Sequence, residues 1–125
     1  FDHFVRTPAL TRLMSVENIH YAKYLKSSTV VRGLYAPLLA NMQSLLDRGQ
    51  AEGVFRADVD PIDLYISISG LAYFYLSNRY TLSWIFDQDL AAPARLAQRK
   101  AHIVDVVLGY LRPVSGGGPI ETPSP

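Results

Sequence analysis

The sequence predicts an all-α protein, and three observations point to this fold class. Apolar residues recur at helical spacing along most of the chain. No stretch alternates polar and apolar residues as a half-buried strand would, and Pro, Gly or short polar runs separate the periodic stretches. At 125 residues one domain is expected, and a hydrophobic fraction of 49% is enough for a core.

Five helices are expected, and each is bounded by a Pro, a Gly or a polar residue. They are Phe1–Arg6, Thr7 to about Leu25, Val30–Glu52, Asp60–Phe86 and Pro93–Arg112. Asp60 should cap the fourth helix, and Gly53 should end the third in a left-handed conformation. Pro37 should kink the third helix or delay its start. Residues 114–125 are rich in Gly, Pro and Ser, which predicts a disordered tail.

The fourth helix has more apolar surface than the chain can cover. Between Leu64 and Leu76 apolar residues occupy nearly all of its sides, and a helix of this kind is buried on nearly all sides. A second copy of the chain is the simplest cover. A membrane is not expected as a partner, because the apolar run stops at Ser77, short of the ~20 residues that cross a bilayer.

Charge and composition exclude several function classes. The net charge of +1 and the singly scattered basic residues are unlike a nucleic-acid-binding surface. Without cysteine the chain can form no disulfide, thiol nucleophile or thiolate zinc site, which suits the cytoplasm that we expect as its location. No Gly-x-Ser-x-Gly elbow occurs, and the run of glycines near the end follows no strand, so we expect no enzyme activity and no cofactor.

Three local patterns each allow two interpretations. Some of the eight tyrosines should line a cavity, although any one of them is more simply a core or interface residue. Glu17 and His20 form a Glu-x-x-His pair as in di-iron bundles, but the chain has no second copy of this motif, which disfavours a metal. Arg79 could bind a ligand carboxylate, but pairing with Asp87 or another acidic residue is favoured.

Several segments of the chain resemble one protein family. The segments are FDHFVRTP, LTRLMSVENIHYAKYL, RGQAEGVFRADVDPIDLY and RKAHIVDVVLGYLRP. In this order they are similar to the C-terminal ligand-binding and dimerisation domain of the TetR (tetracycline-repressor) family of bacterial transcription regulators. The resemblance covers Phe1 to Pro113. The family's N-terminal helix-turn-helix domain, of roughly fifty residues, is absent from this chain, and FDHFVR is typical of a helix already under way, so we expect a fragment.

The resemblance implies the regulatory domain of a repressor that works as a homodimer and binds a small apolar or aromatic effector. Operator DNA would be contacted only through the missing helix-turn-helix domain. The last two long helices, Asp60–Phe86 and Pro93–Arg112, would form a four-helix bundle with those of the partner.

Two sets of candidate residues follow from the same resemblance. The candidates for an effector pocket are Phe4, Met14, Tyr24, Tyr35, Leu38, Met42, Tyr65 and Tyr73. The candidates for the dimer interface are Leu71, Tyr75, Asn78, Ile103, Val107 and Tyr110. Two other functions stay open, namely a dimerisation module without a ligand and a helical metal-dependent enzyme.

Overall fold

The computed structural model describes residues 1–114, apart from the side chains of Leu10, Thr11, Thr29, Val31 and Arg32. Within these residues the chain forms five α-helices and no strand, which confirms the all-α prediction. The helices are α1 (Asp2–Arg6), α2 (Pro8–Ile19), α3 (Thr29–Ala51), α4 (Pro61–Phe86) and α5 (Pro93–Leu111). The tail that was predicted to be disordered lies outside the described residues from position 115 onward.

Local capping chemistry sets both ends of the loop between α3 and α4. The Asp60 carboxylate accepts hydrogen bonds from the backbone N–H groups of Ile62 and Asp63 at 2.7 and 2.9 Å, as predicted for an N-cap. Gly53 has a φ of +70°, which confirms the left-handed turn after α3. The chain then folds back, and the Phe55 ring lies so close to Gly49 that any side chain at position 49 would collide with it.

The second helix is shorter than predicted. It ends at Ile19 instead of Leu25, because Tyr21 and Ala22 adopt left-handed conformations with φ of 54° and 58°. A buried carboxylate stabilises this turn, since Glu17 accepts a hydrogen bond from the backbone N–H of Leu25 at 3.3 Å. Sequence periodicity does not detect such a tertiary contact. Pro37 was expected to kink α3 or to delay its start, and of these two the delay does not occur, because α3 begins at Thr29 and continues through Pro37.

The helix α4 is the centre of the fold, and the other helices pack around it. One core cluster joins α3, α4 and α5, and its buried members are Leu46, Val59, Leu64 and Leu111. A second cluster lies further along α4, and its buried members are Tyr75, Leu76 and Leu90. The α1 side chains Phe1 and Phe4 pack against this second cluster. The first helix is therefore anchored to the core through aromatic contacts.

Much of the apolar surface of α4 stays exposed, as the sequence predicted. Only four α4 residues are buried, and they are Leu64, Ala72, Tyr75 and Leu76. The large apolar residues of α4 that remain exposed are Ile62, Ile66, Phe74, Tyr80, Trp84, Ile85 and Phe86. Among the described residues, no helix combines the length and apolarity that crossing a bilayer requires.

Candidate functional site

Side chains from α1, α3, α4 and α5 surround a cavity of about 640 Å³, which we call the central cavity. Its α1 and α3 residues are His3, Phe4, Tyr35, Leu38, Met42, Leu45 and Leu46. Phe55 and the α4 and α5 residues Leu64, Tyr65, Ile68, Ser69, Val107, Leu108 and Leu111 complete the wall. Most of these side chains are aliphatic or aromatic, so the cavity has the size and lining of a small-molecule site.

The floor of the central cavity belongs to the buried core. Leu46 is only 1% exposed, and it packs with Leu64 and Leu111 in the first core cluster. Leu38 also lines the cavity and is 40% exposed, so the part of the cavity beside Leu38 is accessible from solvent. A closed floor with an accessible mouth allows a ligand to enter without the core being opened.

Two tyrosines place a polar group on this apolar wall. The rings of Tyr35 and Tyr65 meet edge to face, with their centroids 5.8 Å apart and their planes at 79°. The hydrogen bond between their hydroxyls raises the pKa of Tyr35, and partial burial acts in the same direction. A raised pKa means that the neutral phenol of Tyr35 is the stabilised form.

The structure brings together five of the eight predicted pocket residues. Phe4, Tyr35, Leu38, Met42 and Tyr65 line the central cavity, and whether they bind a ligand stays a prediction. The helical spacing of positions 38, 42, 45 and 46 could also have indicated Leu45 and Leu46. The α5 contribution at positions 107, 108 and 111 was missed, because no local pattern shows which side of α5 faces α3.

The other three predicted pocket residues lie elsewhere. Met14 and Tyr24 are on the surface of α2 and the turn after it, outside the central cavity, because α2 ends before Leu25. Tyr73 lies on the side of α4 that contacts α2, where its hydroxyl is 2.6 Å from the Ser15 Oγ. These three side chains are therefore removed from the candidate pocket.

A second open surface lies along α4 and α5, and we call it the α4/α5 face. Its groove has a volume of about 470 Å³ and is lined by Leu64, Ser67, Gly70, Leu71, Val106, Val107 and Tyr110. Phe74 follows Gly70 and Leu71 at helical spacing and is 60% exposed. A Cβ atom added to Gly70 or to Gly109 would meet no atom within 4 Å, so the space above both glycines is open.

The six predicted interface residues divide between this face and the core. Leu71, Val107 and Tyr110 line the groove of the α4/α5 face. The assignment of Tyr75 and Ile103 is corrected, because they are 8% and 7% exposed and belong to the interior of the protomer. The Tyr75 hydroxyl donates a hydrogen bond to the Leu90 carbonyl at 2.8 Å, which fixes the ring inward.

Asn78, the remaining predicted interface residue, is half-buried on α4. Its side-chain amide donates a hydrogen bond to the Phe74 carbonyl oxygen at 2.9 Å and a second to the Ser77 hydroxyl at 2.9 Å. These local bonds hold the side chain along its own helix. Asn78 therefore lies at the edge of the α4/α5 face, one turn beyond Phe74.

The α4/α5 face becomes polar toward the start of α5. A smaller cavity of about 280 Å³ is lined there by Tyr75, Arg95, Gln98, Arg99 and His102. The Arg99 guanidinium lies over the Tyr75 ring, 5.3 Å from its centroid, and donates a hydrogen bond to the Leu71 carbonyl at 2.8 Å. The face therefore has a basic end and an apolar end.

The remaining predicted motifs have structural partners. His20 stacks edge to face on Tyr24, with ring centroids 5.9 Å apart, while Glu17 bonds to the α2 turn. The part of the chain that the structure describes holds no group of three or more acidic, His or Cys side chains that could ligate a metal. The favoured pairing of Arg79 with an acidic residue is wrong, because Arg79 donates to the Leu76 carbonyl at 2.5 Å and to the Tyr80 hydroxyl at 3.2 Å.

Comparison with known proteins agrees with this architecture. A family model described as the tetracycline-repressor-like C-terminal domain matches residues 1–107. The chain is 34% identical over 112 residues to the HTH-type transcriptional repressor NicS of Pseudomonas putida, an alignment that covers 90% of this chain and 53% of the relative. The chain thus spans about half the length of the curated relative that it matches. No solved structure matches the chain. The chain therefore belongs to the TetR family of transcription regulators and corresponds to the C-terminal domain of that family.

Proposed function

We propose that this domain binds a small, largely apolar or aromatic effector in the central cavity and forms a homodimer through the α4/α5 face. In the cytoplasm it would control the binding of operator DNA by a helix-turn-helix domain that precedes Phe1. The observation that carries the ligand-binding part is the apolar cavity of about 640 Å³ with a tyrosine hydroxyl pair in its wall. The name of the relative, an HTH-type transcriptional repressor, supports the repressor role.

Phe4 could transmit the effect of a ligand in the central cavity to α1 at the start of the chain. It lines the central cavity and also packs against the second core cluster around Leu76. An effector that displaces the Phe4 ring would shift α1, which a 2.6 Å ion pair between Asp2 and Lys100 connects to α5. Binding energy that differs between two positions of α1 changes their populations, and the position of an upstream DNA-binding domain would follow.

The dimer part of the proposal is supported by the open surface of the α4/α5 face. The apolar end combines exposed Phe74 and Tyr110 with the unoccupied space above Gly70, and α5 carries a second glycine with open space above it at Gly109. Small residues let helices approach closely, and two antiparallel helices from each copy make a four-helix bundle around a two-fold axis. Burial of this surface removes exposed aromatic side chains from water.

The function is tested by two measurements on the purified chain. Light scattering over a concentration series should report a dimer. A thermal-shift screen of aromatic and acyl compounds should find ligands that raise the melting temperature, because a molecule that binds only the native state stabilises it. A dimer without any stabilising compound would instead support the dimerisation module, and a monomer would contradict the proposed interface.

A further inference from the structure

Charged side chains are missing from the described wall of the central cavity. Its fifteen described lining residues include no Lys, Arg, Asp or Glu, and His3 supplies the one imidazole among them. The hydrogen-bonding side chains are otherwise the hydroxyls of Tyr35, Tyr65 and Ser69. A carboxylate that enters such a cavity loses hydration without gaining a counter-charge, which is strongly unfavourable.

The tyrosine pair determines which polar group can be accommodated. The Tyr35 and Tyr65 rings meet edge to face in this wall, with centroids 5.8 Å apart, and each hydroxyl carries one proton that can bond to an acceptor. A neutral carbonyl oxygen or ring nitrogen is satisfied by a single donor of this kind. An anion would need several donors or a cation to replace its water shell, and the apolar neighbours Leu38, Met42 and Ile68 supply none.

The basic end of the α4/α5 face does not change this charge balance. Arg95, Arg99 and His102 line the smaller cavity and none of them lines the central cavity. Arg99 is also engaged by the Tyr75 ring and the Leu71 carbonyl. The molecule therefore keeps Arg95 and Arg99 apart from the hydroxyl-lined central cavity.

From these contacts we infer that the central cavity selects an uncharged effector, a mainly apolar or aromatic molecule with one hydrogen-bond acceptor bound by the Tyr35–Tyr65 hydroxyl pair, and that it rejects the carboxylate of the same shape. This inference rests on the proposed function, because it takes the central cavity as the effector site.

Matched pairs of probes test the inference. The pairs are benzamide and benzoate, naphthamide and naphthoate, and decanamide and decanoate, which share their apolar bodies and differ in charge. At neutral pH at least one amide should raise the melting temperature by a few degrees, while its carboxylate should give no shift. A carboxylate that stabilises the protein as well as its amide does would overturn charge selection and leave the proposed function intact. If no member of any pair binds, occupancy of the cavity and the inference both fail.

Two substitutions test which side chains make the cavity prefer an amide to a carboxylate. Tyr65→Phe should weaken amide binding by about three- to tenfold, the usual effect of losing one neutral hydrogen bond. Leu38→Arg should let the matching carboxylate raise the melting temperature, because it adds a cation to an exposed part of the wall. Tyr24→Phe is the control, since Tyr24 lies outside the cavity, and it should change neither probe. Equal amide binding by wild type and Tyr65→Phe would overturn the donor role of Tyr65.

Discussion

The central cavity and the α4/α5 face are both apolar and both use α4, but they differ in shape. Four helices enclose the cavity, and its floor is the buried Leu46. Two helices form the groove of the face, and Gly70 leaves open space in its wall. A concave site surrounded by large side chains can enclose a small molecule. A long groove with small residues instead fits another helix, so apolar surface on one helix can serve two different partners.

The polar groups of the central cavity and of the α4/α5 face also differ, because one region is neutral and the other carries positive charge. The cavity presents hydroxyls from Tyr35 and Tyr65, whereas the face presents the cations Arg95 and Arg99 at one end. Neutral hydroxyls can be buried with a ligand at small cost once they are hydrogen-bonded. Guanidinium groups are more costly to bury, so the basic end of the face suits the hydrated rim of an interface.

The largest effect is expected from a charge placed on the α4/α5 face. Phe74→Glu should convert the dimer to a monomer, because an unpaired buried carboxylate costs about 3 kcal/mol or more, which is at least ~100-fold in the dissociation constant. Light scattering over a concentration series measures this change, and circular dichroism checks that the helices remain. Trp84→Glu is the control, because Trp84 is 86% exposed at the far end of α4. Dimers that persist in Phe74→Glu would place the interface elsewhere.

The next effect concerns the cavity alone. Met42→Trp should fill part of the central cavity and weaken the binding of any stabilising amide by at least about tenfold, with the dimer unchanged. The thermal shift and light scattering, measured on the same sample, separate the two regions. Met14→Trp is the matched control, because Met14 lies on α2 outside the cavity. A variant that loses helicity would show instead that Met42 belongs to the core.

Local rules in the sequence were enough to predict the helices and most of their ends. Asp60 and Gly53 act through their own backbone neighbourhoods, and periodicity placed α3, α4 and α5 within two residues of their observed bounds. The end of α2 was missed, because its left-handed turn at Tyr21 contains no glycine or asparagine and is supported by the distant carboxylate of Glu17.

Orientation on α4 could not be predicted for a different reason. Apolar residues surround this helix, so periodicity does not show which side faces the core. Tyr75 is turned inward by the Leu90 carbonyl, a contact made by the loop before α5, and Phe74 beside it is left exposed. Three of the predicted residues that line the central cavity lie in α1 and the first half of α3, where Phe4, Tyr35 and Leu38 are on apolar stripes.

A smaller effect is expected from Gly109→Ala, which should stabilise the monomer and weaken the dimer. In a monomeric Phe74→Glu background, Gly109→Ala should raise the free energy of unfolding by about 1 kcal/mol, because alanine favours helix and meets no atom here. In the dimer the same methyl group should weaken association, since it occupies the space needed by the partner helix. Urea unfolding in both backgrounds measures the difference. Gly33→Ala in α3, which also meets no atom, should stabilise both. An equal gain for Gly109→Ala in both backgrounds would contradict a close helix crossing.

The smallest effect tests the hydroxyl pair of the cavity through pH. The pKa of Tyr35 is raised from 10.0, so above this value the native state holds a proton that the unfolded state has lost. The stabilisation from its hydrogen bond is therefore complete below about pH 10 and is lost as the pH rises further. Tyr35→Phe lacks this bond at every pH, so the difference in unfolding free energy between wild type and variant should shrink from about pH 8 to about pH 11. Urea unfolding at both values measures it, with Tyr24→Phe as the control because that ring stacks on His20 instead. A constant difference would mean that no hydrogen bond of the Tyr35 hydroxyl stabilises its neutral form in the native state.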